Sequence, residues 1–336
     1  MSAPTTERLL DVKNLSIEIA TRHGPATIVD GIDLHVDKGE TLGIVGESGC
    51  GKSLTMLSLV RLLPNKIRVS SGSASFEGSN LLELSSNELR EIRGGKIGFV
   101  FQDPMTSLNP VMKIGAQLAE PLMHHRGLNK AEAWKRAGEL LKLTGIPGAE
   151  QRLNSYPHEL SGGMRQRVMI AIGLACDPDL LIADEPTTAL DVTIQAQIVD
   201  LVKDLRQKLG MSVVWITHDL ALIAGLADRI AVLYAGAVVE DAPVDELFAE
   251  PAHPYTRGLL ASIPKMTESE TDRLASIGGS PPEPGRRPKG CPFAPRCPLA
   301  QDVCREVVPA LEPLRGQATR HRVACHVANK HVMEAA

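Results

Sequence analysis

Hydrophobic and polar positions along the chain change their period several times, and each change predicts a different kind of element. Residues 9–20 and 27–36 alternate loosely between apolar and polar side chains, which predicts strands of an antiparallel subdomain. Residues 70–79 are rich in Gly and Ser and suit a hairpin. In 114–124 and 131–143 the apolar residues recur at helical spacing, which predicts an inserted helical subdomain.

Short apolar runs elsewhere predict a central sheet with helices between its strands. The runs that suit buried strands lie at 41–45, 96–101, within 179–186, and at 213–217, 230–234 and 237–240. Further helices are predicted at 54–63, 81–93, 169–176 and from 189–191 to about 209. Such alternation of strands and helices is typical of an α/β fold.

A glycine-rich loop, GESGCGKS at 46–53, fits the phosphate-binding pattern G-x-x-x-x-G-K-[ST] between a predicted strand and a predicted helix. Backbone N–H groups and the positive end of the helix converge there on an anion. Lys52 is expected to reach the β- and γ-phosphates, and Ser53 to bind Mg²⁺. The alternative is an ordinary glycine turn. The predicted phosphate-binding residues are Gly46, Glu47, Ser48, Gly49, Cys50, Gly51, Lys52 and Ser53.

A second motif, LSGGMRQRV at 160–168, opens another apolar helix. Ser161, Gly162 and Gly163 offer a hydroxyl and bare N–H groups at a helix N-terminus, which predicts a second anion site. As an isolated pattern it could equally be a helix cap with a flexible start. The two sites need not bind the same phosphate within one chain, because they could meet across a dimer.

Polar residues follow three of the predicted strands, at the edge where α/β sheets bind ligands. Asp184 suits a hold on Mg²⁺ and Glu185 suits a general base acting on water, and two solvated acids are the alternative. Gln102 is either a plain edge cap or a sensor of Mg²⁺ and attacking water. His218 follows the strand at 213–217, although a lone histidine is most often structural.

Composition narrows the class of protein further. The 336 residues, of which 43% are hydrophobic and 23% charged, suit a globular protein with one large domain and an appendage, or two domains. The net charge of −4 offers no electrostatic support for nucleic-acid binding. The longest uncharged apolar runs, such as 168–176, are about half a membrane span, and no signal peptide is evident. We therefore expect a cytosolic protein that other chains hold at any membrane.

Taken together, these motifs resemble the ATPase cassette of ABC transporters, over roughly residues 9–250. The match rests on the loop 46–53, Gln102, LSGGMRQRV, LLIADEP, Ala-Leu-Asp at 189–191, and His218. Within that superfamily the chain resembles the ATP-binding subunits of oligopeptide/dipeptide (peptide/nickel) importers. That narrower resemblance rests on QDPMTSLNP at 102–110, HPYTRGLL at 253–260, CPFAPRCPLAQDVC in the tail and VACH at 323–326.

The resemblance implies a P-loop NTPase core with an antiparallel β subdomain, an inserted helical subdomain and a small C-terminal Cys-rich module. ATP and Mg²⁺ are the implied cofactors. Glu185 would be the general base, His218 would contact the γ-phosphate, and Gln102 would sense Mg²⁺ and couple to the membrane subunits. The implied magnesium ligands are Ser53, Gln102 and Asp184. Residues Ser161, Gly162 and Gly163 would clamp the nucleotide of an opposing cassette, and Asp191 would link the two sites.

The implied partners are a second ATPase cassette, either a copy or a paralogue, two permease subunits and, indirectly, a solute-binding protein. The implied place is the cytoplasmic face of the bacterial inner membrane. Di- or oligopeptides are the expected cargo, with nickel or a sugar as alternatives. A soluble ABC ATPase acting on DNA or ribosomes is disfavoured by the single cassette and the lack of a heptad run or basic patch. A non-catalytic cassette is disfavoured by the intact Lys52, Asp184, Glu185 and His218.

One departure from the family pattern and two cysteines carry further expectations. The family stacks adenine on an aromatic residue near the position of Ile19, yet no Phe, Tyr or Trp precedes Phe76. Adenine is therefore expected on Ile19 or His23. Cys50 lies in the phosphate loop beside Lys52, where a thiolate is favoured, so alkylation is expected to inhibit ATP hydrolysis and ATP to protect. Cys176 closes an apolar helical run and suits a small core residue.

Four of the six cysteines cluster in the tail, which favours a metal over disulfides in a reducing compartment. Their spacing is wider than C-x-x-C and leaves a four-thiolate zinc site and a [4Fe–4S] cluster open. The resemblance favours the cluster, with zinc and no metal as alternatives. The ligands would be Cys291, Cys297, Cys304 and Cys325. The expected domains are the cassette at 9–250 with its helical subdomain at about 111–176, a linker or arm at 251–290, and the Cys-rich module at 291–326.

Overall fold

The computed structural model describes residues 7–188, 190–263, 277–314 and 320–328. These residues form two compact units. Unit 1 contains Glu7 with residues 37–41 and 83–216, and unit 2 contains 8–36, 42–82 and the described residues from 217 onward. The part of the predicted linker at 264–276 lies outside the described residues.

The elements follow the predicted alternation of strands and helices. The strands are β1 (Arg8–Thr21), β2 (Gly24–Asp37), β3 (Thr41–Val45), β4 (Ile67–Phe76), β5 (Ser79–Asn80), β6 (Ile97–Val100), β7 (Leu180–Asp184), β8 (Ser212–Thr217), β9 (Arg229–Tyr234), β10 (Ala237–Pro243), β11 (Glu312–Pro313) and β12 (Arg322–Val323). The α-helices are α1 (Lys52–Leu59), α2 (Ser86–Ile92), α3 (Pro104–Ser107), α4 (Ile114–Arg126), α5 (Lys130–Leu143), α6 (Ala149–Arg152), α7 (Gly162–Gly173), α8 (Val192–Leu209), α9 (Leu220–Ile223), α10 (Val244–Ala249), α11 (Pro254–Ala261) and α12 (Asp302–Glu306).

Unit 2 contains the predicted antiparallel subdomain as a sheet of four strands in the order β2-β1-β4-β5. Strand β1 runs antiparallel to β4, from Leu10 opposite Phe76 to Ile19 opposite Ile67. Leu15 and Ile17 are completely buried on the inner face of β1. The loose alternation of the sequence therefore corresponds to a sheet with one covered face, and the prediction of an antiparallel subdomain is confirmed.

The same unit carries the strand that feeds the phosphate loop. Strand β3 is buried at all five positions and pairs in parallel with β9, which pairs in turn with β10. The C-terminal tail then adds β12 against β10, with Val323 opposite Glu240. Glu240 is fully buried and accepts a hydrogen bond from His321 Nε2 at 2.8 Å, if that nitrogen carries the proton. The tail is thus built into the sheet of unit 2 through backbone pairing and a buried polar contact.

Unit 1 contains three parallel strands in the order β6-β7-β8 together with the helical region. Helices α4, α5 and α7 pack against one another, in agreement with the predicted helical insertion. Helix α7 also crosses β6 closely, because a Cβ atom on Gly98 would lie 2.1 Å from the Gly173 carbonyl oxygen. Cys176 is fully buried, as predicted for a small core residue.

Local polar interactions move some predicted boundaries. Helix α2 begins at Ser86 rather than near 81, because Ser85 and Glu88 form a reciprocal capping box. Helix α1 ends at Leu59 rather than 63, since Arg61 adopts a left-handed φ of 50°. The stretch expected to be a linker from 251 begins with helix α11, whose Tyr255 is fully buried. Among the described residues, no helix combines the length and the apolar character that a membrane span requires.

Candidate active site

The phosphate loop of unit 2 joins the buried strand β3 to the N-terminus of α1. Gly51, which has no side chain to form a capping bond, is the N-cap of this helix and has a φ of 100°. A Cβ on Gly46 would lie 2.2 Å from the Leu233 carbonyl oxygen, and one on Gly51 would lie 2.8 Å from Val29 Cγ2. Only glycine fits at these two positions. Close packing within the protein therefore requires these glycines, in addition to any requirement from phosphate binding.

Lys52 lies inside the loop it terminates. Its side chain is 4% exposed, and Nζ donates hydrogen bonds to the carbonyl oxygens of Gly46 at 2.7 Å and Glu47 at 3.1 Å. Ser53 follows, half-buried, in the first turn of α1. An ammonium group held by loop carbonyls beside the start of a helix can bind an anionic phosphate without large rearrangement.

The prediction of a reactive Cys50 thiolate is wrong. The side chain is only 4% exposed, and its sulfur lies beneath the loop, 2.9 Å from where a Cβ on Gly46 would be. Burial raises the pKa of the Cys50 thiol, and this effect outweighs the opposing attraction of Lys52. The helix N-terminus alone suggested a thiolate, but the sequence could not reveal that the sulfur points into the protein.

Two residues that the sequence did not single out hold Glu47 of the loop. The hydroxyl of Tyr255 accepts a hydrogen bond from the Glu47 N–H at 2.9 Å. The guanidinium of Arg296 donates two bonds to the Glu47 carboxylate, at 2.8 and 3.0 Å. Both residues occur in stretches that carried the family resemblance, HPYTRGLL and CPFAPRC. Nothing in their spacing indicated a contact with the phosphate loop.

In unit 1 the structure brings Gln102 and Glu185 together. Gln102 Nε2 donates to Glu185 Oε2 at 3.1 Å, and Thr188 Oγ1 donates to the same oxygen at 3.0 Å. Glu185 is 9% exposed and has a left-handed φ of 44°, an unusual conformation for a non-glycine residue. Asp184 precedes it at the end of β7 and is 5% exposed. A buried carboxylate aligned by two donors can accept a proton from water.

The second glycine motif and Asp191 form two neighbouring helix starts in unit 1. Ser161 caps α7 by accepting a hydrogen bond from the Met164 N–H, and Asp191 caps α8 by accepting one from Ile194. A Cβ on Gly163 would lie 3.0 Å from Ile194 Cγ2, so the two helix starts are in contact. Ser161, Gly162 and Asp191 are exposed and accessible to a ligand or a partner chain.

The remaining predicted residues lie in unit 2. His218 is exposed and directly follows β8, in the turn that Asp219 caps at the start of α9. Ile19 is half-buried near the end of β1, and His23 is exposed in the turn between β1 and β2. The adenine contact at Ile19 or His23 stays a prediction.

The four tail cysteines interact with one another in unit 2. Burial raises the pKa of the Cys291 thiol to about 11, and nearby Cys325 and Cys304 contribute to this rise. Burial also raises the pKa of the Cys297 and Cys325 thiols. The Ala328 N–H donates to Cys325 Sγ at 3.4 Å, a contact that suits a metal-bound thiolate. These thiols influence one another, but the described residues do not arrange them as a four-thiolate metal site. No group of three or more His, Cys, Asp or Glu side chains in the described ranges has the arrangement that holds a metal ion.

Comparison with known proteins gives consistent matches over nearly all of the chain. The ABC transporter family matches residues 29–188, and the oligopeptide/dipeptide transporter C-terminal region matches 239–304. The chain is 50% identical over 332 residues to the probable peptide ABC transporter ATP-binding protein y4tR of Sinorhizobium fredii, which covers 98% of each chain. It is 53% identical over 304 residues to the oligopeptide transport ATP-binding protein AppD of Bacillus subtilis, covering 90% of this chain and 92% of that protein.

A solved structure supports the same assignment. The dimeric ATP-binding cassette MJ0796 bound to ADP and Pi is similar with a TM-score of 0.63 and 32% identity, over 70% of this chain and 98% of that chain. The similarity includes a nucleotide-binding fold, and the sequence relatives extend it into the C-terminal region. The chain belongs to the ABC transporter family, among the ATP-binding proteins with the oligopeptide/dipeptide transporter C-terminal region.

Proposed function

We propose that this chain hydrolyses ATP as the energy-coupling subunit of an importer for di- or oligopeptides. The observation that carries the ATPase assignment is the buried Glu185 carboxylate, aligned by Gln102 and Thr188 in a chain with a complete phosphate loop. The peptide cargo is supported by the names of the relatives, which include oligopeptide and dipeptide transport proteins. Nickel or a sugar remains the alternative cargo.

Some residues of the site bind the nucleotide, and others take part in proton transfer. Loop N–H groups and Lys52 bind the phosphates, and Ser53, Gln102 and Asp184 would hold Mg²⁺, which supplies charge stabilisation at the phosphates. Glu185 Oε2 accepts the proton of the attacking water, and Gln102 keeps that carboxylate oriented through its hydrogen bond. His218 contacts the γ-phosphate in this scheme.

The second half of each site comes from another cassette. Ser161, Gly162 and Gly163 clamp the γ-phosphate bound by the opposite subunit, and Asp191 links the two sites. The exposure of Ser161, Gly162 and Asp191 supports this role. So does the dimeric state of the MJ0796 cassette. Closure of two cassettes around ATP and their reopening after hydrolysis would drive the permease.

The chain works at the cytoplasmic face of the bacterial inner membrane, held there by two permease subunits that receive cargo from a solute-binding protein. The segment after Gln102 supports a docking role, because Met105 and Val111 are 59% and 79% exposed. We assign the cassette to residues 9–250 with the helical subdomain at about 111–176, the arm to 251–290 and the Cys-rich module to 291–326.

The module would hold a [4Fe–4S] cluster through Cys291, Cys297, Cys304 and Cys325, and the cluster would supply a cross-link within the tail. Anaerobic purification with absorption spectroscopy and elemental analysis tests this assignment. Iron with a visible absorbance band is the expected result. Colourless protein that contains zinc, or no metal, would contradict it.

Transport by the assembled complex in proteoliposomes tests the proposed function. We expect a labelled oligopeptide to accumulate with ATP, and Lys52→Ala to abolish both uptake and ATP hydrolysis. Lys66→Ala is the matched control, because Lys66 is exposed and lies outside the loop. Uptake of Ni²⁺ or a sugar without peptide uptake would overturn the cargo assignment. ATP hydrolysis by Lys52→Ala at the wild-type rate would refute the assignment of the ATP-binding site.

A further inference from the structure

Glu47, the second residue of the phosphate loop, is held at every one of its polar groups. Its N–H donates to the Tyr255 hydroxyl at 2.9 Å, and its carbonyl oxygen accepts from Lys52 Nζ at 3.1 Å. Its carboxylate accepts two hydrogen bonds from Arg296. Glu47 therefore connects the ammonium of Lys52 with a guanidinium that lies 249 residues away in sequence.

Arg296 is itself fixed on all sides, in contrast to an ordinary surface arginine. Its side chain is 6% exposed, and Nε and Nη2 donate to the carbonyl oxygens of Gly278 at 2.8 Å and Ile277 at 3.2 Å. Its guanidinium lies 5.7 Å from the ring centroid of Tyr234 and 5.9 Å from that of Phe293. A planar fork held by carbonyls and aromatic rings gives up little further freedom when it binds a carboxylate.

The aromatic rings around Arg296 belong to both the cassette and the tail. Phe293 packs edge-on against Tyr234 at a centroid distance of 5.2 Å and lies 5.4 Å from Tyr255. Phe293 and Arg296 stand between Cys291 and Cys297, inside the cysteine-rich module. The segment that carries the cysteines therefore supplies both the cation and a ring of the cluster that holds the loop.

We propose that Arg296 is a positioning residue for ATP binding, because it fixes and neutralises Glu47 and thereby makes the phosphate loop depend on the cysteine-rich module. The inference rests on the proposed role of the loop in ATP binding. Glu47 places a negative charge within a loop that binds a polyanion, so an unpaired carboxylate there opposes the phosphates. The two hydrogen bonds from Arg296 neutralise the Glu47 carboxylate and so remove that repulsion. They also fix the position of Glu47, whose carbonyl oxygen orients Lys52.

A double-mutant cycle on the full-length chain tests whether Arg296 acts through Glu47. We expect Arg296→Gln to raise KM for Mg-ATP about tenfold with kcat changed less than about threefold, since binding is lost and proton transfer is not. In the Glu47→Gln background the same arginine substitution should change KM less than about threefold, because no carboxylate is left to neutralise. Arg286→Gln is the matched control, since Arg286 forms an exposed ion pair with Glu283 in the arm that precedes the module.

Each outcome bears on the proposal. An unchanged KM in Arg296→Gln, or an equal rise in the presence and absence of the Glu47 carboxylate, overturns it. If Arg296→Gln does not fold, as judged by circular dichroism, Arg296→Lys replaces it. Lysine keeps the charge without the bidentate fork, so KM should rise about two- to fivefold, and an unchanged KM contradicts the proposal. Lys52→Ala, measured in parallel, separates the failure of this proposal from the failure of the proposed ATPase function. If Lys52→Ala is fully active, the assignment of the ATP site is wrong. If Lys52→Ala is inactive and Arg296→Gln has the wild-type KM, only the role of Arg296 is refuted.

Discussion

Glu185→Gln separates the chemistry of the proposed general base from its structural role. The carboxylate is 9% exposed, and its Oε2 accepts hydrogen bonds from Gln102 at 3.1 Å and Thr188 at 3.0 Å. Glutamine has nearly the same shape and keeps one carbonyl oxygen that can accept both bonds. It has no lone pair of comparable basicity for a proton from water.

The two effects differ greatly in size. General-base catalysis contributes about 10²- to 10⁴-fold, which corresponds to roughly 3–5 kcal/mol in the activation free energy. The structural cost should be about 1 kcal/mol or less, because both donors keep an acceptor. We therefore expect ATP turnover to fall at least about a hundredfold while KM for ATP changes little and the melting temperature shifts by only a few degrees.

Steady-state phosphate release at saturating Mg-ATP, combined with a thermal melt, measures both quantities. Glu139→Gln is the matched control, because Glu139 is exposed on α5 and pairs with Arg136. Turnover of Glu185→Gln within tenfold of wild type would refute the assignment of the base. A turnover loss with a large drop in melting temperature would show that Glu185 acts through folding instead.

Three further predictions follow from burial and close packing. Burial lowers the pKa of His253 to about 4; the nearby charge of Arg257 lowers this pKa further and that of Glu240 raises it. Between pH 6.5 and 4 this histidine is therefore protonated in the unfolded chain but neutral in the folded chain. Stability should therefore fall by about 3 kcal/mol between pH 6.5 and 4 from this group, and pH-dependent melts should show a smaller fall in His253→Asn, whose side chain can still cap α11. Gly98→Ala should destabilise the chain by several kcal/mol, because the added Cβ would meet the backbone of α7. Gly225→Ala is the control and should change the melting temperature little, because the space around Gly225 is open. Equal melting temperatures of the two variants would contradict the close crossing of α7 and β6. Cys50 should react with iodoacetamide more slowly than an unhindered thiol at neutral pH, as followed by mass spectrometry, and rapid labelling would contradict its burial.

Most elements of the fold could be predicted because their signals are local. The alternation in β1 and the helical spacing in α4 and α5 determine which face of each element is buried. Boundaries were predicted less well where a polar contact decided them, as at the Ser85–Glu88 capping box. The buried Tyr255 of α11 escaped prediction, because a helix of eight residues is too short to display a clear period.

The residues of the candidate site also differ in how far the sequence alone could predict them. The residues of the phosphate loop are adjacent in sequence, so their spacing alone predicted the strand, loop and helix around Lys52. Gln102 and Glu185 were each predicted from the strand that precedes them, and their hydrogen bond required the pairing of β6 with β7. The burial of Cys50 depends on the direction of one side chain, which no local pattern specifies.

The sequence by itself therefore determined the phosphate loop, the strand ends that carry the candidate catalytic residues and the family of the chain. Only the tertiary structure decided that Arg296 of the cysteine-rich module binds Glu47 of the loop. The physical reason is that an ion pair between residues 249 positions apart depends on the packing of everything between them. Short-range periodicity describes which face of an element is buried, but it contains no information about which distant residue that face will contact.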